Sequence, residues 1–374
     1  MLDNIKSKYI QKIVLKNLDR KRLLQLIKIN NRYKKLLNIK IKDYQKFVQI
    51  IFEVSLIADV YVLDFRLGNE QKREYIHYLM KDGKKEINDS NLRSNSFRVE
   101  IDYEVNSLYK FFSGKSTINE IKFIKWNNIN INNLSFMFEG CTILTNIENF
   151  SIIKTDNVTD MSYMFQGCTN LKQIDLSNFK TSKVTDMNNM FARCGTLDRL
   201  DVSNFNTEKV TNMSSMFLGC KLIKEFDLSN FDTSNVKDIS YMFLGCSNLS
   251  IINISNFNIK KVKRMCDLFY ECTSLDKIDL SNFDTSNVEN MYGVFNECKC
   301  LVDLNISNFN TAKVTNFRNM FNGCTSLINL DISKFIFNND CKTEGMFNGC
   351  SNDLINKVKS QNNEIKMESF EKLI

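Results

Sequence analysis

Nine copies of Phe-x-x-Cys, from Phe138–Cys141 to Phe347–Cys350, recur along this chain at one interval of 27 residues and then seven of 26. A degenerate copy, Phe112-Ser-Gly-Lys115, stands 26 residues upstream. A fixed period of this length is the mark of an array of stacked units, each unable to bury its apolar face alone.

A second block follows each cysteine: Ile174-Asp-Leu176-Ser-Asn-Phe179, Leu200-Asp-Val202-Ser-Asn-Phe205, Phe226-Asp-Leu228-Ser-Asn-Phe231, and later copies around Ile254, Leu280, Ile306 and Ile332. With Leu171, Leu197, Leu249, Leu275, Leu301 and Leu327 three residues earlier, the pattern is L-x-x-L-x-L-x-x-F. That spacing predicts a short parallel strand per unit, with Ile174 and Leu176 inward and Asp175 and Ser177 outward on a concave side. Next comes Thr181-Ser-Lys-Val184-Thr-Asp-Met187, whose hydroxyls suit a turn or helix cap. Val184, Met187, Met190 and Phe191 are spaced three, three and one, which predicts a short α- or 3₁₀-helix on the convex side.

The unit NF-x-T-S-x-V-T-D-M-x-x-MF-x-GC resembles the BspA-like leucine-rich repeats of bacterial and protist proteins, over roughly Val105 to Cys350. The resemblance implies a leucine-rich-repeat fold. It also implies a role in binding proteins, since many members are surface or secreted proteins that bind host or neighbouring-cell proteins.

The fold expected is an α/β repeat solenoid: a leucine-rich-repeat-like curved array of about ten units, with a helical N-terminal segment and a helical C-terminal cap. The boundaries expected are 1–40 for a helical hairpin, 41–104 for a small α+β capping region, 105–351 for the solenoid and 352–374 for the cap. In residues 5–37, apolar side chains from Ile5 to Leu18 and from Leu23 to Leu37 fall at helical spacing on either side of Asn17–Arg20. This segment resembles an F-box hairpin, which would make it a ubiquitin-ligase adaptor, although the usual Leu-Pro opening and the later Trp are absent. The alternative is a helical cap on the solenoid. Residues Tyr44–Ala58 read as helical, Lys81-Asp-Gly-Lys84 as a hairpin turn, and Phe97–Tyr103 as a strand. At the far end Leu354, Ile355, Val358, Ile365, Phe370 and Leu373 are placed to cover the last unit.

The net charge of +7 is uneven. Residues 1–50 hold fourteen Lys or Arg and three Asp, a net of +11, so the remainder carries −4. A slightly acidic array argues against wrapping nucleic acid. No run of apolar residues is long enough for a membrane span, and the first residues lack a signal-peptide core. A cytoplasmic location is therefore expected, with the cell surface as the alternative. In a long chain without an export signal, the twelve cysteines are expected to be reduced, and turns must rely on Asn, Asp, Ser and Gly because proline is absent.

Catalytic chemistry has little to work with. The single histidine, His77, would have to serve any Cys-His or Ser-His pair, and there is no Gly-rich phosphate loop or paired C-x-x-C. No catalytic residue, metal or cofactor is expected. An acidic column on every unit could in principle hold paired carboxylates, but a ladder of hydrogen-bonding side chains is the simpler reading. The positions free to specify a partner are the variable pair before each strand and the outward acids. The candidates are Lys172, Gln173, Asp175, Asp198, Arg199, Asp201, Lys224, Glu225, Asp227, Asp276, Lys277, Asp279 and Asp303. Mixed charge predicts one or more proteins as partner. The function expected is an intracellular, non-catalytic protein-binding scaffold; the alternative is a surface or secreted adhesin.

Overall fold

The computed structural model describes residues 50–61, 76–79, 93–101, 105–128 and 130–371. The hairpin expected over residues 5–37, the turn Lys81–Lys84 and Leu373 lie outside these residues.

The units stack in parallel register. Ser107, Asn133, Asp160, Asp186, Asn212, Asp238, Arg264, Asn290, Asn316 and Lys342 form one continuous run of parallel bridges, one residue from each of ten units. The segment after each bridge residue is not helical, which corrects the expectation for Val184–Phe191. It is a chain of tight turns. In one unit the N–H groups of Met187, Asn189, Phe191 and Arg193 donate to the carbonyls of Asn212, Ser214, Met216 and Leu218 in the next unit. The intervening N–H groups of Met190, Ala192 and Cys194 donate three residues back. Two backbone positions four residues apart have positive φ, Asn189 at 54° and Arg193 at 62°, and a right-handed helix cannot run through them. The apolar spacing of three, three and one suits this turn ladder as well as a helix.

The strand side also departs from expectation. Only some units form paired strands: β4 (Ile118–Trp126) with β5 (Asn146–Glu148), β6 (Glu225–Asp227) with β7 (Ile251–Asn253), and β8 (Asp303–Leu304) with β9 (Asn329–Leu330), all parallel. At Ile174–Leu176, Leu200–Val202 and Ile278–Leu280 no paired strand forms. The reason is local. Asp175, Asp201 and Asp279 accept the N–H two residues on, from Ser177, Ser203 and Ser281, and bend the chain away from its neighbour. Side chains then join the units: Asn204 Nδ2 donates to the Leu176 and Phe179 carbonyls, while Thr181 Oγ1 donates to Asn206 O and accepts the Asn206 N–H.

Phenylalanines form the spine of the core. Rings stack without interruption from Phe112 to Phe370, for example Phe138 on Phe165 at 5.3 Å and 4°, and Phe295 on Phe321 at 5.8 Å and 2°. The single 27-residue interval is taken up within residues 145–155, where a 3₁₀ turn spans Phe150–Ile152. The inter-unit offset is 27 at Thr169 to Thr142 but 25 at Thr155 to Lys180, as in the regular pair Thr181 to Asn206.

The two ends are closed differently. At the first unit, β1 (Ile50–Tyr61) lies between β3 (Arg93–Ile101) and β4, with β2 (Ile76–Leu79) outermost, giving the order β2-β3-β1-β4-β5. The helix expected over Tyr44–Ala58 is therefore a strand in its described part. Phe52, Val54 and Leu56 alternate inward with Glu53 and Ser55 between them, a period of two that outweighs the helical reading. Phe52 meets Phe111, Phe112 and Phe123 at 5.2–5.9 Å and joins this sheet to the spine. At the last unit, helix α1 (Asn352–Gln361), capped by Ser351, buries Leu354 and Val358.

Because each unit rests only on its neighbours, damage should spread locally. Phe217→Ala removes a fully buried ring and should cost about 3–5 kcal/mol. Hydrogen exchange should rise across residues 191–246 and stay low in distant units; a uniform rise would contradict nearest-neighbour stabilisation.

Candidate binding faces

The variable strand-side positions all reach solvent. Lys172, Asp198, Lys224 and Asp276 form one exposed column, and Gln173, Arg199, Glu225, Lys277 and Asp303 form the next. The register Glu225↔Ile251 and Asp303↔Asn329 sets equivalent residues side by side on adjacent units. The structure thus brings these candidates onto one face. The acidic column Asp175, Asp201, Asp227 and Asp279 is exposed too, but one carboxylate oxygen of each is committed to a serine N–H. Those serine hydrogen bonds hold all four carboxyls below the usual carboxylate range. Their first role is to make the turn. Asp227 and Asp303 also accept from Asn253 and Asn329. The candidate set missed the apolar members of the same columns: Ile251, Val302 and Ile328 are 55%, 37% and 61% exposed. Their signal was an aliphatic residue at a position that is polar in the other units.

The cysteine column is internal. Each thiol donates to the carbonyl of the core phenylalanine one unit back: Cys168 to Phe138 at 3.2 Å, Cys194 to Phe165 at 3.1 Å, Cys324 to Phe295 at 3.0 Å. Burial pushes the thiols of Cys141, Cys194, Cys246 and Cys350 up to about 12, so the nucleophilic thiolate is suppressed. All twelve cysteines are free, and Cys300 alone is exposed. Among the described residues, no group of His, Cys, Asp and Glu is arranged to hold a metal ion, and no helix is long and apolar enough to cross a membrane.

A second surface lies on the turn ladder, where residues 238–297 depart most from the repeating unit. Tyr241, Asp267 and Gly293 occupy the same position in three successive units, joined through Tyr241 N–H to Cys266 O and Asp267 N–H to Tyr292 O. Asp267 keeps only 6% of its surface, has φ of 49°, and its carboxylate oxygen Oδ1 is buried with no hydrogen-bond partner. That oxygen lies over Gly293, 2.0 Å from where a β-carbon would stand, so only glycine fits beside it. Burial raises the carboxyl to about 7 from its ordinary 3.8. Tyr241, Cys266, Tyr270 and Tyr292 surround it, with Asp238, Glu271 and Glu297 nearby.

The repeats can be placed among known proteins. The family described as "Mycoplasma protein of unknown function, DUF285" matches at residues 106–200, 174–254, 192–278 and 245–361, which together span more than half of the chain. The chain belongs to this family. Overlapping matches are what a pattern longer than one unit gives as it shifts along an array, and the DUF285 repeats coincide with the BspA-like units. Of solved structures, a leucine-rich repeat protein from Bacteroides ovatus ATCC 8483 is similar at 18% identity and a TM-score of 0.29, over 73% of this chain and 87% of that one. No curated protein matches.

Two measurements check the DUF285 array. Iodoacetamide applied to the folded protein should label Cys300 first, with the nine column thiols protected until unfolding; fast labelling of Cys194 or Cys246 would contradict the buried column. The second measurement concerns Asp267. Its folded carboxyl titrates near 7 and its unfolded one near 3.8, so its contribution to stability is intact below about 4 and is lost as pH rises through 7. Asp267→Asn should therefore raise the melting temperature at pH 8 and change it little at pH 4. Equal shifts at both pH values would show that the carboxylate is not strained by burial.

Proposed function

We propose that this chain is a non-catalytic scaffold that binds one or more proteins through the strand-side face. The observation that carries the reading is the separation of two kinds of position. Phe, Met, Cys, Val and Thr columns are held by packing and inter-unit hydrogen bonds, whereas Lys172, Arg199, Lys224 and Lys277 and their column neighbours are exposed and differ from unit to unit. Exposed aliphatics at Ile251, Val302 and Ile328 supply the apolar area that a mixed-charge protein interface uses at its centre.

We further propose that the scaffold acts in the cytoplasm, and that residues 5–37 tie it to its assembly, a ubiquitin ligase in the F-box reading. Surface biotinylation of intact cells separates this from the adhesin reading, since only a surface protein is labelled.

Changing Lys172, Arg199, Lys224 and Lys277 together to Glu should abolish partner capture. Each exposed change should alter stability by less than about 0.5 kcal/mol. Like charges brought together in an interface cost several kcal/mol of binding. The control set is Lys183, Lys209, Lys261 and Lys313, exposed on another side of the units, where Lys183, Lys261 and Lys313 reach Asn157, Asn235 and Asn287 at 2.6–2.7 Å. Loss of capture in the control set alone, or equally in both, would remove the binding site from the strand-side face.

A further inference from the structure

Asp267 does nothing for the array that holds it. Its N–H bonds to the next unit as Asn189 and Asn319 do at the same position, and other units place Phe136, Tyr163, Ser215 or Gly293 there. The backbone ladder therefore needs no carboxylate. A buried carboxylate without a hydrogen bond is destabilising, and such a group persists where a component from outside completes it.

The neighbouring charges narrow what that component is. Arg264 is paired with Asp238 at 2.7 Å, Lys299 with Glu297 at 3.1 Å, and Arg318 with Glu344 at 2.7 Å. The nearby cations are thus already engaged, and among the described residues no ion pair neutralises Asp267 or Glu271. Around this excess negative charge stand three tyrosines: Tyr241, 40% exposed, from the unit before; Tyr270, three residues after Asp267; and Tyr292 from the unit after. Tyr270 and Tyr292 are half-buried, and Tyr292 is steadied by Asn319 Nδ2 at 3.5 Å from its hydroxyl. Aromatic faces beside a carboxylate are the surroundings that attract an organic cation.

We infer that this surface receives a lysine side chain of a protein partner, its ammonium set between Tyr241, Tyr270 and Tyr292 and charge-paired with Asp267. A lysine suits it better than an arginine. A guanidinium gains most from two parallel bonds to both oxygens of a carboxylate, and Oδ1 of Asp267 is sealed against Gly293. An ammonium is a point charge and needs one accessible oxygen. The site lies on the turn ladder, so its test is independent of capture through the strand-side face.

The experiment uses the full chain with ¹³C-labelled tyrosine rings, titrated with an end-blocked Gly-Gly-Lys-Gly-Gly peptide and its norleucine and arginine counterparts. The lysine peptide should shift the signals of Tyr241, Tyr270 and Tyr292 saturably, and the norleucine peptide should not. Asp267→Asn should weaken lysine binding by about tenfold or more. Asn occupies the same backbone position at residues 189 and 319, so the variant should fold; Asp267→Ser, matching Ser215, is the second variant if it does not. Binding to the unaltered chain should be stronger at pH 8 than at pH 5, and that difference should vanish in the variant. No saturable shift, equal shifts with norleucine, tighter binding of the arginine peptide, or unchanged binding in both variants would each overturn the assignment.

Discussion

Every second amide in the turn segment of each unit donates outside its own unit. Met187, Asn189, Phe191 and Arg193 donate to the following unit, while the residues between them close turns at home. The alternation leaves no freedom in register. A slip of one residue would send the home amides outward and turn the buried Met190 and Phe191 towards solvent, so the period holds at 26 and the one longer interval is confined to residues 145–155. It also requires left-handed backbone twice per unit. Glycine meets one of these positions in most units, for instance Gly167, Gly219 and Gly245, while Arg193, Glu271 and Glu297 meet it under strain.

The thiol column follows from the same constraint. Each core phenylalanine carbonyl closes a turn by accepting from its own cysteine N–H, and it keeps a second lone pair in a sealed interior. Phe138 O takes the Cys141 N–H and then the Cys168 S–H from the next unit. A residue at this position must be small and apolar enough for the core, yet able to give a weak hydrogen bond. Cysteine meets these demands with little desolvation cost, whereas serine would bring a strongly hydrated hydroxyl and alanine would leave the lone pair unused. The cysteines are there for packing and not for redox chemistry.

What the sequence revealed divides along this line. Period, core columns and outward columns were legible because packing imposes them identically on every unit. The turn ladder was not, because Val184, Met187, Met190 and Phe191 show the same apolar spacing in a helix and in alternating turns. The recurring glycine before each cysteine was the available signal, since a glycine at one fixed place in many units marks a positive φ. The acidic column was read as facing a partner, and its exposure is real, but the Asx turn from Asp175 to Ser177 depends on hydrogen bonding that periodicity does not encode. Asp267 escaped notice because it breaks no core rule. Its signal was a departure from the unit at a surface position, followed by glycine one period later.

The ladder's direction dictates how the array ends. On the turn side each unit donates forward, so the last unit has donors with no next unit to receive them. Gly345 and Phe347 donate instead to the carbonyls of Glu368 and Ser369, in the 3₁₀ turn Met367–Phe370. On the strand side the units before are joined by an asparagine reaching back to two carbonyls, as Asn308 does to Leu280 and Phe283. Asn362 supplies that same reach to Ile332 and Phe335, and Gln361 both donates to Leu330 O and accepts from the Ile332 N–H, as a paired strand would. Phe370 adds the final ring to the spine at 5.6 Å from Phe347, with the Lys359 ammonium 4.4 Å above it. The cap shares no motif with the repeat, yet it returns each contact that one more repeat would make. A helix was therefore free to replace the unit's fold, provided that its side chains reproduced the unit's hydrogen bonds.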